Sequence, residues 1–175
     1  MSINPFIVSF NQLPNTLPVF PLPGAIVLPG SELPLNMFEP RYLNMVSDAL
    51  STHRMIGMIQ PDPGAKGEDG LCRTGCAGRI TQYRETSDGR IEMVLSGVCR
   101  YDIGEELPTT RGYRLFVPQW SRFSNDYEDH EDTLKSEQPL LLQSLKGYFK
   151  SEGLEVDWAM LERLSTVKLV NSMSM

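Results

Sequence analysis

Three cysteines, two histidines and a scatter of serines are the residues of this chain whose types allow nucleophilic or metal chemistry. Cys72 and Cys76 stand four apart. In an extended strand such positions lie about 13 Å from each other at roughly 3.3 Å per residue, too far for two thiolates to share a zinc ion at about 2.3 Å. Neither His53 nor His130 stands at a finger-like spacing from them, so no metal site is expected, and Cys72, Cys76 and Cys99 read as free thiols. A cysteine nucleophile with a histidine base stays open in form, without a local signature to support it. Serine hydrolysis lacks its Gly-x-Ser-x-Gly elbow; the nearest stretch, Leu95-Ser96-Gly97, ends a strand. Gly64-Ala65-Lys66-Gly67 carries a lysine among glycines but lacks the hydroxyl and helix of a phosphate loop. Glu85, Asp88, Glu105 and Glu106 fall in turns or beyond strands. The run Asp126 to Asp132 reads as a solvated surface loop, because it lacks the glycine-punctuated ligand order of a calcium site. No cofactor is expected, and the chain reads as no enzyme.

The elements that would position any site are easier to read than the site. Five prolines fall between Leu17 and Pro34, set among short apolar runs, so the chain must keep turning while it buries Val, Ile, Leu and Phe. Such prolines belong at strand starts, bulges and edges. From Glu39 to Leu50 the period changes, and Tyr42, Met45, Val46 and Ala49 fall on one face of a helix that starts at Pro40. Arg54–Gln60 reads as a buried strand, Pro61–Gly70 as a loop, and Leu71–Glu85 as a long strand bent at Gly75 and Gly78. The turn Ser87-Asp88-Gly89 joins it to a strand over 90–96. Gly97 then separates that strand from another over 98–103, and 112–120 forms the last. The fold class expected is α+β: about six mostly antiparallel strands with one inserted helix, followed by a helical bundle. Ser136 would cap the first C-terminal helix, which Gly153 ends, and Asp157 would cap the next. The last helix is still apolar at Met175, which implies a native chain that continues beyond it. The expected division is a barrel subdomain over 1–122 and an acidic loop with helices over 123–175.

At 175 residues with a net charge of −6, and with Lys and Arg scattered, the chain lacks the basic stripe that nucleic acid requires. No apolar run reaches the roughly 20 residues of a membrane span, and the amino terminus lacks a basic signal region, so no membrane partner and a cytoplasmic location are expected.

Several stretches together carry a family resemblance: Leu17-Pro18-Val19-Phe20-Pro21-Leu22, Leu28-Pro29-Gly30, Leu33-Pro34-Leu35, Met37-Phe38-Glu39-Pro40-Arg41-Tyr42, Gly75-Cys76-Ala77-Gly78-Arg79-Ile80 and Gly97-Val98-Cys99-Arg100-Tyr101. With them the chain resembles the N-terminal domain of Lon proteases, in the small stand-alone bacterial form without ATPase or protease parts. The resemblance implies a PUA-like pseudobarrel followed by helices, and a role in recognising unfolded or tagged polypeptides.

On that basis the expected function is non-catalytic binding of exposed apolar peptide segments or of a protein partner, with Met37, Phe38, Arg41 and Tyr42 as candidate partner-binding residues. The bland alternative is that Phe38 and Tyr42 pack under the barrel and Arg41 pairs with a nearby carboxylate. A partner would add as a strand at a proline-marked edge or lie between barrel and helices. Two other classes stay open: a small hydrolase with a Cys or Ser nucleophile, and a structural adaptor joining a separate ATPase or protease through the C-terminal helices.

Overall fold

The computed structural model describes residues 8–64, 70–128, 134 and 136–174. The chain divides into two compact units, Met1–Tyr127 and Glu128–Met175.

In the first unit, strands β1 (Leu17–Pro21), β2 (Glu32–Met37), β3 (Met55–Ile59), β4 (Thr74–Glu85), β5 (Ile91–Leu107) and β6 (Arg114–Gln119) form one mixed sheet, and helix α1 (Pro40–Ser51) lies between β2 and β3 in the chain. The order is β2-β5-β4-β3-β1-β6, and β6 pairs again with β5. Five strands therefore close a ring, and β2 hangs outside it on the first half of β5. All pairings are antiparallel except β1 with β3. That parallel pair needs a crossover, and the crossover consists of β2 and α1.

Closure produces two cores that share the barrel wall. Inside the ring, Leu17 and Val19 of β1, Met55 and Ile59 of β3, Ala77 of β4, Cys99 and Tyr101 of β5 and Phe116 of β6 pack together, with Leu13 and Phe123 joining them. Outside it, Met58, Cys76, Ile80 and Leu95 pack under Tyr42, Met45, Val46 and Ala49 of α1 and under Met37 of β2. The alternation of side chains along each strand makes both faces of β3 and β4 apolar. The helix buries the four residues that its 3.6-residue period selects.

The Tyr101 ring fills the barrel because β3 and β4 present glycines to it. A Cβ on Gly57 would stand 2.5 Å from the Tyr101 hydroxyl, and one on Gly75 would stand 2.4 Å from the carbonyl oxygen of Met58. The hydroxyl itself is buried with no hydrogen-bond partner.

Several details differ from the sequence reading, among them Glu85, Glu105 and Glu106, which lie within β4 and β5 and not in turns or beyond strands. β5 runs unbroken through Gly97, which is needed not to stop a strand but to let the Leu28 carbonyl approach: a Cβ there would lie 2.0 Å from that oxygen. β4 begins at Thr74 rather than Leu71 and shifts register after Ala77 and Ile80. Asp126 is not a solvated surface residue. Its carboxylate accepts from the Arg100 backbone N–H at 2.8 Å and from Nε at 3.1 Å, and its side chain is almost wholly covered. The rest of the acidic run, with His130, lies outside the described residues from Asp129 onward.

The second unit contains helices α2 (Gln138–Ser151), α3 (Trp158–Leu161) and α4 (Thr166–Ser174). Asp157 Oδ1 accepts from the Met160 N–H at 3.1 Å, as its position before the helix requires, and Gly153 follows α2 with φ +67°. Ser136 is not the cap of α2; Glu137 holds that place, and Pro139 sits in the first turn. No helix of the described residues is long and apolar enough to cross a membrane.

Candidate functional site

The crossover that carries β2 and α1 also builds a hollow around the sequence motif. β1 ends at Phe20-Pro21, and the chain turns through Leu22-Pro23. β2 then presents Leu35 and Met37, and α1 opens with Glu39, Arg41 and Tyr42. These residues, with Pro34, Asn36 and Phe38, line a hollow of about 450 Å³. Three prolines in its wall have φ fixed by their rings, so the wall is set before any ligand arrives.

All four candidate residues meet here, but in different roles. Met37, 2% exposed, is a floor residue held by the outer core. Tyr42 is buried too, its ring edge-on to Phe20 with centroids 4.4 Å apart. Burial pushes its phenol above its ordinary value; Arg41 opposes the shift and Glu39 adds to it. Arg41 is exposed, bonded to Glu39 through Nε at 3.1 Å and Nη2 at 2.9 Å, and its guanidinium stands 4.6 Å from the Tyr42 ring centre. Phe38 is the exception. The expectation that it packs beneath the barrel is wrong: it is 61% exposed. The reason is geometric, because the β2–β5 ladder ends at Met37 opposite Ile91 and Phe38 falls beyond it. Its neighbour is Arg90, 5.7 Å from the ring centre.

The hollow's outer wall is fastened to the barrel through Asp48 of α1. Arg111 meets it with Nε and Nη2, both at 3.0 Å, and the Tyr113 hydroxyl donates to it at 2.9 Å. Asn44 Nδ2 donates to the Arg111 carbonyl at 3.2 Å. None of these four was singled out from the sequence, since the partners are more than 60 positions apart. Leu35, Leu22 and Pro23 were also not chosen as site residues, although the proline spacing around them was a usable signal.

The cysteines do not assemble into a reactive centre. Cys76 faces the outer core and Cys99 the barrel interior, while Cys72 donates to the Pro61 carbonyl with Sγ at 3.7 Å. Burial pushes the Cys99 thiol up to about 12, with Asp126 adding to the shift and Arg100 opposing it, and holds Cys76 above its ordinary value too. Neither forms a nucleophilic thiolate at neutral pH. His53 accepts the Met55 N–H at Nδ1, 3.1 Å away, and so is occupied as a turn residue. A thiol hydrolase has no support in this arrangement.

The closed barrel with its inserted helix agrees with the folds of similar proteins. The family model described as the ATP-dependent protease La (LON) substrate-binding domain matches residues 16–173, and the chain belongs to that family. The Lon protease of Flavobacterium johnsoniae is 25% identical over 143 residues, which cover 77% of this chain and 17% of that protein. Lon protease 2 of Myxococcus xanthus is 25% identical over 107 residues, 58% of this chain and 13% of that one. The chain thus spans less than a fifth of the length of these curated relatives. Among solved structures, a Lon N-terminal domain protein from Xanthomonas campestris superposes with a TM-score of 0.54 at 26% identity, over 73% of each chain. The N-terminal domain of a Mycobacterium avium complex Lon protease gives 0.57 at 18% identity, over 90% of this chain and 80% of that one, and shows the shared fold.

Proposed function

We propose that this chain is a non-catalytic module that holds exposed apolar segments of unfolded polypeptide, with the Phe38 hollow as the contact. The observation that carries this reading is Phe38 itself. A large aromatic ring stands mostly in solvent at the mouth of an apolar hollow, while its neighbours Met37 and Tyr42 are buried. Aromatic anchors of this kind dominate binding energy where they become covered. Family membership in the Lon substrate-binding domain supports the same reading. We place its action in the cytoplasm, with no membrane or nucleic-acid partner and no enzymatic step of its own, and we take the barrel and the helical unit as separate domains.

Fluorescence titration with reduced, carboxymethylated α-lactalbumin tests it. Saturable binding is expected, weakened about tenfold or more by Phe38→Ala. Absence of binding at high micromolar concentration would sink the idea.

One observation favours an adaptor role beside it. In the helical unit Leu140, Tyr148, Leu154, Met160 and Met173 are exposed, a density of apolar residues that fits a docking face. Co-purification from the native host, lost with Leu140→Ser and Tyr148→Ser together, is the corresponding check.

A further inference from the structure

Strand β2 ends the strand order, and its register shows which of its backbone groups face away from the sheet. Pro34 lies opposite Val94. Since proline has no N–H, the two cannot exchange a pair of hydrogen bonds, so theirs is an unbonded pair of the antiparallel ladder. The start of the strand gives the same parity independently. There the Gly97 N–H donates to the Ser31 carbonyl at 2.8 Å, while the Gly97 carbonyl accepts from the Gly30 N–H at 3.0 Å; the Ser31 carbonyl thus faces β5, which leaves Glu32–Ser96, Pro34–Val94 and Asn36–Glu92 as the unbonded pairs. The N–H and C=O of Glu32 and Asn36, and the C=O of Pro34, therefore point outward. Among the described residues no strand lies along that edge.

Both sides of the edge are concave. On one side lies the Phe38 hollow, with Leu35 and Met37 in its wall. On the other lies a second hollow of about 530 Å³ that extends over Glu92 and Arg84, and Pro34, Leu35 and Asn36 border both. An added strand would send alternate side chains to these two sides. The first would receive apolar groups. The second, lined by Asn36, Gln82, Arg84 and Glu92, would receive polar ones; Glu32 and Glu92 share that face with Arg79 and Arg84, and the charge of −6 on the whole chain favours cationic over anionic groups there.

We propose that the bound polypeptide adds as an extended strand to the outer edge of β2, its apolar side chains in the Phe38 hollow and its alternate, preferably cationic, side chains on the opposite face. This rests on the polypeptide-binding reading and specifies its geometry. A second copy of the chain fits the edge poorly: two β2 strands paired about Pro34 would set the prolines opposite each other and lose both central bonds. Pro34 thus leaves an edge that accepts a foreign strand with one donor missing.

That missing donor makes the test specific. The probe is a fluorescein-labelled decapeptide of alternating valine and lysine, titrated by anisotropy. Two analogues are compared with it, one N-methylated at every valine and one at every lysine. In a strand, side-chain face and N–H edge alternate together, so with valines in the hollow only one set of N–H groups meets β2. Binding is expected to fail for one analogue and persist for the other. Pro34→Ala restores an outward N–H without touching the β2–β5 ladder and is expected to tighten binding by about 2- to 10-fold, the range of one added hydrogen bond. Asn36→Pro removes an outward donor and is expected to weaken it. Full retention by both methylated peptides, with affinity unchanged in Pro34→Ala and Asn36→Pro, overturns strand addition; a loss confined to Phe38→Ala would then leave the hollow as the binding site on its own. No binding of the unmodified peptide by the wild-type chain overturns both.

Discussion

The barrel unit and the helical unit draw on the same apolar residue types with opposite results. In the barrel, closure of five strands covers the inner face of the wall and α1 with β2 covers the outer one, so residues as large as Tyr101, Met55 and Leu95 are entirely buried. In the helical unit only Leu161, Thr166 and Leu169 are buried among the described residues, α2 buries none, and Leu140 is 68% exposed. Ring closure supplies each of its five strands with neighbours on both edges, whereas short helices cover only a stripe of one another. Stability is therefore expected to be concentrated in the barrel, and contact surface to remain on the helices and on the crossover that β2 and α1 form.

Substitutions in the two units sharpen that contrast. Tyr101→Ala empties the barrel interior and is expected to cost about 3–5 kcal/mol in urea unfolding, the usual range for a buried aromatic; a cost below 1 kcal/mol would mean that the interior is not tightly packed. Asp102 comes next. It accepts from Thr74 Oγ1 at 2.7 Å, Arg122 Nη2 at 2.9 Å and Arg73 Nε at 3.1 Å. Burial alone would raise its carboxyl, but the Thr74 hydroxyl and the Arg122 and Arg73 guanidinia outweigh it and hold the group below its ordinary value. A carboxyl lowered by folding contributes stability above its unfolded pKa and loses it as pH falls through the folded one. Asp102→Asn is thus expected to cost about 1–3 kcal/mol at pH 7, with the gap from wild type closing as pH drops below the ordinary carboxylate range. A gap independent of pH would assign the cost to shape instead of charge.

Tyr101→Phe removes a buried hydroxyl without a partner while keeping the ring, and a gain of up to about 1 kcal/mol is expected, read as a higher denaturation midpoint. The smallest effect belongs to the helical unit: Leu140→Ser should change stability by no more than about 0.5 kcal/mol. A large loss there would show that α2 contributes to folding and is not a spare surface.

How much of this the sequence revealed depended on whether the deciding forces were local. The helix face of Tyr42, Met45, Val46 and Ala49 follows from spacing alone, and all four are buried. Asp157 and Gly153 likewise declare a helix start and end through their own backbone chemistry. Gly97 was misread because a glycine in a strand looks the same whether it ends the strand or admits another backbone, and only the position of Leu28 distinguishes the two. Asp126 was misread because its partner, Arg100, lies 26 positions away. Phe38 shows the limit most plainly. Its exposure is fixed by where β2 runs out of ladder opposite Ile91, a matter of register between segments far apart in the chain. The residues of the hollow were thus legible as a motif, and their division into floor and rim was not.

The parallel pairing of β1 with β3 has a consequence for how such a domain can diversify. Because the pair demands a crossover, both walls of the hollow and the free edge beside it are encoded in one uninterrupted piece of chain, from Phe20 to Tyr42. Most of that piece lies outside the closed ring, yet through Val27, Met37 and Tyr42 it also covers the outer core, so a change in the shape of the hollow is transmitted to the packing of the barrel wall.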